Sequence, residues 1–320
     1  MRNFENSTSE SVSYPIYRCY HVCEPVQCSQ TQDKSRGHSH RVTKVGGSSS
    51  MTEQNSGRVT RDSELAEQLK INECNGTPTQ KRALLNLLCE YDDVISRVSH
   101  DIGKTDIIEH EIVTETQQLI RQPPRRVGLT PLAAMKKQVN DWIEKGVVEE
   151  STSPWSSAVV PVLKKDVTIR FCIDFRKLNA VTVKNSYPIP RIDQTLDSLS
   201  GSTLFSSLDL VGGYLHVKVA GKDHPKTAFA TPFGLYQFKR MPFGLTNGPA
   251  TFSRLMNEVL RGLTPDMALV YLDDVIVDRS DFDSHLDRLQ NVLNRFRSAG
   301  LKIKPPATSF GTIFRPCSVG

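Results

Sequence analysis

No stretch of the 320 residues approaches the ~18 consecutive apolar positions that a membrane span needs, and residues 1–10 lack the apolar centre of a secretory signal. A membrane partner is not expected. The expectation is an intracellular protein, with nucleus and cytoplasm equally open. Nor is there a disulfide framework: seven cysteines, an odd number scattered from Cys19 to Cys317, fit reduced thiols. Cys172, inside an apolar run, reads as a small core residue. Aliphatic residues are scarce over residues 1–60, which are rich in Ser, Thr, Gln, Asn and Gly. Too little apolar surface is available there to offset chain entropy, so a disordered tail is expected. Cys19, Cys23, Cys28, His38 and His40 fall in this tail, but their spacing suits no common zinc finger, and free thiols are the plainer reading.

The net charge of +5 and pI near 8.8 permit a polyanionic partner without demanding one. At 320 residues there is room for about two domains. The chain divides by composition into the tail, a helical and extended segment at 61–129, a folded region at 130–304 and an atypical end at 305–320.

Thr77-Pro78, followed by Leu84, Leu85, Leu88 and Tyr91, predicts a capped amphipathic helix. Thr130-Pro131 predicts the start of a second, closed by Gly146. Residues 107–113 read as extended, and 121–126 as a basic, Pro-containing connector. Residues 156–174 read as a hairpin broken at Lys164-Lys165-Asp166, 192–199 as a helix, 204–210 as a strand, and 215–219 as an alternating strand. Pro249 opens the most amphipathic helix, through Leu263, and Asp281 to Gly300 frame another. Interleaved helices and hairpins imply an α+β fold over a largely antiparallel sheet.

Asp273 and Asp274 sit between the apolar triplets Val270-Tyr271-Leu272 and Val275-Ile276-Val277, a strand, tight turn and strand. Two like charges about 4 Å apart repel by roughly 4 kcal/mol at an effective dielectric near 20, so keeping both ionised calls for a cation. Asp209 ends the strand at 204–210 and is the third carboxylate that a sheet edge can bring to the same place. Three hard oxygen donors suit Mg²⁺, and two ions about 3.5–4 Å apart activate a hydroxyl and stabilise a leaving pyrophosphate. Each acid alone is also explained as a turn or cap residue.

The surrounding text weighs on that choice. Asp174-Phe175-Arg176-Lys177-Leu178-Asn179, Ser207-Leu208-Asp209-Leu210, Thr231-Pro232-Phe233-Gly234-Leu235, Met241-Pro242-Phe243-Gly244-Leu245, Pro249-Ala250-Thr251-Phe252 and Tyr271-Leu272-Asp273-Asp274 follow one another in order. In this order and spacing, from about Tyr91 to Lys304, the chain closely resembles the reverse transcriptases of gypsy-like LTR retrotransposons. The resemblance implies a right-hand polymerase, with fingers and an antiparallel palm sheet flanked by helices, and an RNA-directed DNA polymerase activity. It implies RNA or DNA template-primer and dNTPs as partners, and two Mg²⁺ ions, with Mn²⁺ as a substitute.

By the same resemblance Asp209, Asp273 and Asp274 are the catalytic and metal-binding triad. Arg170 contacts the incoming nucleotide, Lys164 or Lys165 its triphosphate, and Tyr214 acts as a steric gate against a ribose 2′-hydroxyl. Phe243 and Gly244 flank the nucleotide pocket. Arg121, Arg125 and Arg126 are open between template contacts and a solvated linker. Where family members commonly carry Gly at the fingers hairpin this chain has Val167, which puts the lysine contacts in question; Gly213, Leu215 and His216 replace commoner residues beside the gate. After Pro305 the text departs from the family's primer grip, thumb, connection and ribonuclease H, so weak processive synthesis is expected. A non-catalytic nucleic-acid-binding transposon relic is the competing reading, and an RNA-dependent RNA polymerase a third.

Overall fold

A computed structural model describes residues 63–74, 76–97, 101–116, 118–163, 169–188, 201–264, 267–271, 274–305 and 309–312. The expected disordered tail, its Cys and His residues, the helix expected at 192–199, Lys164, Lys165, Val167 and Asp273 lie outside the described residues.

Helix α1 (Pro78–Glu90) begins at a capping box, in which Thr77 Oγ1 accepts the Gln80 N–H at 3.3 Å and Gln80 Oε1 accepts the Thr77 N–H at 2.9 Å. Strand β1 (Glu109–His110) follows, then α2 (Leu129–Glu144). The N-cap of α2 is Gly128 rather than Thr130, and the Leu132 N–H reaches the Gly128 carbonyl at 3.1 Å. Pro131 then stands inside the first turn, where a missing N–H is no loss. The expected stop at Gly146 holds, with φ +66°.

Strands β2 (Val148–Glu150), β3 (Ser157–Leu163) and β4 (Ile169–Asp174) lead to the short helix α3 (Arg176–Val181) and strand β5 (Leu204–Asp209). The alternation at 215–219 does not become one strand. Gly212, at φ +59°, turns the chain into a 3₁₀ turn, Gly213–His216, and only β6 (Lys218–Val219) is extended. The pattern misled because His216, polar by rule, is completely buried. Strands β7 (Phe229–Thr231) and β8 (Gly234–Phe238), helix α4 (Gly248–Val259), strands β9 (Leu269–Tyr271) and β10 (Asp274–Arg279), helix α5 (Phe282–Ala299) and strand β11 (Ser309–Thr312) complete the order. Helix α4 stops before Leu263, yet Leu260 and Leu263 stay buried in the turns after it.

The strands form more than the single sheet expected. An antiparallel four-stranded sheet runs β11-β5-β10-β9, a five-stranded sheet runs β2-β8-β7-β3-β4 with β3 and β7 parallel, and β1 pairs with β6 in parallel. Helices α4 and α5 bury Phe252, Leu255, Met256, Leu289, Val292, Leu293 and Phe296 to 1% exposure or less in the main core. Each contributes roughly 1.5–3 kcal/mol relative to exposure. Helix α5 is framed as its sequence predicts: Asp281 accepts the Ser284 N–H at 2.8 Å, and Gly300 ends it at φ +67°.

Beyond Gly300 the chain crosses the end of β5 as a strap. The Val211 N–H donates to the Lys302 carbonyl (2.9 Å) and the Lys304 N–H to the Asp209 carbonyl (2.7 Å). On its other side the Ile303 N–H donates to the Val94 carbonyl (2.9 Å), and the Ser96 N–H to the Ile303 carbonyl (3.0 Å). Tyr91 reinforces this junction: its hydroxyl donates to Asn294 Oδ1 at 2.7 Å and the Arg297 guanidinium lies 4.2 Å over its ring.

Candidate active site

The β5–β10 register places Asp209 directly opposite Asp274, while Asp274 also pairs with Tyr271 across the β9–β10 hairpin. Opposed residues of an antiparallel pair project from the same face with Cβ atoms about 4.5–5.5 Å apart. Two of the three expected acids are therefore neighbours at one sheet end. Asp273 is joined to Asp274 by a peptide bond but lies outside the described residues. Asp209 is half-buried, and its carbonyl is held by the strap. Asp274 is exposed by area, yet desolvation of its carboxyl raises its pKa above the ordinary value. Among the described residues no group of three or more His, Cys, Asp or Glu side chains converges.

Tyr214 leaves the 3₁₀ turn beyond β5 and packs on Phe243, with ring centroids 4.9 Å apart at 35°, and on Phe252, 5.4 Å away. The ring is half-buried, as is Phe243. Gly244 is exposed at φ +95°, a conformation that an L side chain resists. The Phe243-Gly244 loop joins the Tyr214 turn to helix α3: Phe243 meets Tyr214, while the Gly244 carbonyl accepts a hydrogen bond from Asn179 Nδ2 at 2.7 Å. Asn179 Oδ1 also accepts the Thr246 N–H at 2.9 Å, and Asn247 ties Val183 and Asn185 to the same loop.

Arg170 lies on β4 opposite Val162 and is half-buried. Further along the strand, Asp174 accepts hydrogen bonds from Arg176 Nε (2.8 Å) and Nη2 (2.7 Å), and from Arg125 Nη2 (3.1 Å). The Arg176 hydrogen bonds, with Arg125 adding attraction, hold its pKa at about 2. These side chains, with Gln122 and Lys177, line a cleft of about 450 Å³. Arg121 is no free linker residue: it bridges Ser156, and its Nε donates to the Pro154 carbonyl at 3.2 Å.

The structure thus brings Asp209 beside Asp274 and Tyr214 beside Phe243, and joins the latter pair through the Gly244 loop to α3, the helix that follows the Arg170 strand. Sequence reasoning passed over Asn179, Asn247 and Asp174 as site-builders. Asn179 and Asp174 both lie inside a motif block already quoted; Asn247 directly precedes α4, and only the fold reveals what it binds.

Residues 162–313 match the family model described as reverse transcriptase (RNA-dependent DNA polymerase). The chain is 33% identical over 239 residues to the retrovirus-related Pol polyprotein from transposon opus of Drosophila melanogaster, covering 73% of this chain and 24% of the relative. The chain belongs to the reverse transcriptase family of retrotransposon Pol polyproteins. A second Drosophila Pol polyprotein, from transposon 297, is 34% identical over 242 residues, covering 74% of this reverse transcriptase chain and 23% of the relative. The transposon Tf2-3 polyprotein of Schizosaccharomyces pombe is 32% identical over 197 residues, 61% of this chain and 15% of the relative. The chain therefore spans about a quarter or less of the length of these curated relatives.

In fold, the reverse transcriptase chain is similar to the prototype foamy virus protease–reverse transcriptase, with TM-score 0.72 at 22% identity over 78% of this chain and 33% of that one. A foamy viral protease–reverse transcriptase solved in complex with an RNA/DNA hybrid gives TM-score 0.71 at 21% identity over 85% and 35%. The α+β expectation, with fingers and palm, accords with this likeness.

Proposed function

We propose that this reverse transcriptase domain extends a primer with deoxynucleotides on an RNA or DNA template, with Asp209, Asp273 and Asp274 as the metal-binding carboxylates. The observation that carries the reading is the register that sets Asp209 opposite Asp274 at the palm sheet's end. The donor set fits divalent ions: Asp209 and Asp274 stand opposite each other at one sheet edge and offer the hard oxygen ligands that Mg²⁺ takes. Bound Mg²⁺ supplies positive charge for the developing pyrophosphate and acidifies the primer hydroxyl. The primer 3′-oxygen forms a bond to the α-phosphorus, the bond to pyrophosphate breaks, and the hydroxyl proton leaves to solvent. No side-chain nucleophile is required, so the protein's part is positioning and electrostatics.

Tyr214, braced by Phe243 and Phe252, offers its ring as the floor beneath the sugar, and the Phe243-Gly244 loop as the wall beside it. Arg170 takes the triphosphate side from the fingers sheet, with Lys164 and Lys165 on the same hairpin; its planar fork suits phosphate. The deciding assay is dTTP incorporation on poly(rA)/oligo(dT) with Mg²⁺ or Mn²⁺. Incorporation that Asp273→Asn and Asp274→Asn each abolish supports the reading. Duplex binding without incorporation under either metal refutes it and leaves a binding module.

A further inference from the structure

His216 lies two residues beyond Tyr214, in the same 3₁₀ turn, and is 0% exposed. Both ring nitrogens are bonded. Nδ1 lies 3.1 Å from the Gly213 carbonyl, which can only accept, so Nδ1 carries the proton. Nε2 is 3.2 Å from the Lys302 backbone N–H, which can only donate, so Nε2 presents its lone pair. One neutral tautomer satisfies both. The His216 carbonyl is engaged as well, by the Thr105 N–H at 3.1 Å and Arg240 Nη1 at 3.0 Å. Packing is tight enough that a Cβ at Gly103 would fall 2.6 Å from His216 Cδ2 and 2.4 Å from the Gly300 carbonyl oxygen.

These contacts close a circuit. From Asp209 and Val211 the backbone runs through Gly212 into the turn that bears Tyr214. The His216 ring then reaches Lys302, and the strap returns to the starting point through Lys302 O with Val211 N, and Lys304 N with Asp209 O. A buried imidazole must satisfy both nitrogens, and here the second partner lies in the strap, 86 positions away in sequence.

We propose that His216 is a positioning residue of the nucleotide site: by clamping the Tyr214 turn to the strap under Asp209, it fixes the sugar-facing ring against the metal-binding carboxylate and so sets discrimination against ribonucleotides. This rests on the polymerase reading above, with Tyr214 beneath the sugar. His216 touches neither sugar nor metal; it acts through the backbone.

The test compares amides that copy one nitrogen each. In His216→Asn the amide reaches the Gly213 carbonyl but falls short of Lys302; in His216→Gln it reaches the Lys302 N–H. Misplacement of about 1 Å costs on the order of 100-fold in rate, so a partial shift in His216→Asn is expected to lower the dTTP-over-UTP preference in kcat/KM about tenfold. His216→Gln is expected to restore it. Lys302→Pro deletes the same hydrogen bond from the other side and should copy His216→Asn, whereas Lys302→Ala, which keeps the N–H and loses only the ion pair to Asp101, should not. A lowered melting temperature with an unchanged sugar preference in both His216→Asn and Lys302→Pro overturns the proposal. A wild-type chain that incorporates nothing sinks the polymerase reading instead. Amide hydrogen exchange then decides for the clamp: protection at Val211 and Val217, whose N–H groups donate to the Lys302 and Tyr214 carbonyls, lost in His216→Asn and kept in His216→Gln supports it, and unchanged protection overturns it.

Discussion

Mild acid should unfold this protein well before its carboxylates titrate. His110, His216 and His285 are buried to 2% exposure or less, and desolvation lowers each pKa from the ordinary 6.5 to about 4. His110 is held by Thr251 at 2.9 Å and His285 by Ser206 at 2.8 Å. The folded values are depressed, so below about pH 6.5 the unfolded chain binds protons that the native chain refuses. The stability of the neutral form is complete above that point and drains away until the folded pKa is reached. Near pH 5 each group costs about 2 kcal/mol, and the three together about 6 kcal/mol, comparable to the whole stability of many domains. Asp274, with its raised pKa, works in the opposite direction but is a single group. The pairing of Asp174 is lost only in a lower window, down to its folded pKa of about 2. Urea unfolding followed by tryptophan fluorescence from about pH 7.5 to 5 should give a slope approaching 4 kcal/mol per pH unit at its steepest, the uptake of three protons. An unfolding free energy flat across that range would refute the reasoning, and His216→Gln should remove about a third of the loss.

Tyr214→Ala should reduce the preference for dTTP over UTP in primer extension while leaving incorporation measurable; an unchanged ratio removes the ring from beneath the sugar. Gly244→Ala has ordinary space for its methyl, 3.7 Å from Phe175 Cδ2, but φ is +95°, so backbone strain alone should cost about 1–2 kcal/mol in urea unfolding. Millimolar Mg²⁺ should raise the melting temperature by relieving repulsion between Asp209 and Asp274, and Asp274→Asn should lose that increment; an equal rise in both proteins places the ion elsewhere.

Much of the palm was legible because its signals are local. Continuous apolar triplets flank Asp273-Asp274, Asp281 and Gly300 frame a helix with chemistry suited to each end, and the structure returns β9, β10 and α5 at those places. The candidate site was readable in residue type, since the Asp209–Asp274 register follows once two short strands end in acids. Division into separate sheets was not readable, because the parallel β3–β7 and β1–β6 pairings join segments that no turn signal connects. The misread at 215–219 has the same origin: alternation reports side-chain faces only when burial follows polarity, and His216 breaks that rule by bonding at both nitrogens. Gly128 replaced Thr130 as a cap because proline allows more than one position in a first turn.

The strap over β5 also has a consequence for the order of assembly. Val94 and Ser96 are sealed to Ile303, and Arg297 pairs with Asp93 across 204 positions of sequence. Closing so long a loop is entropically costly and slow, so these pairings form late. During synthesis the strand end bearing Asp209 stays unfinished until residues near 304 have left the ribosome, and the nucleotide site is born only once both flanks of the domain have met.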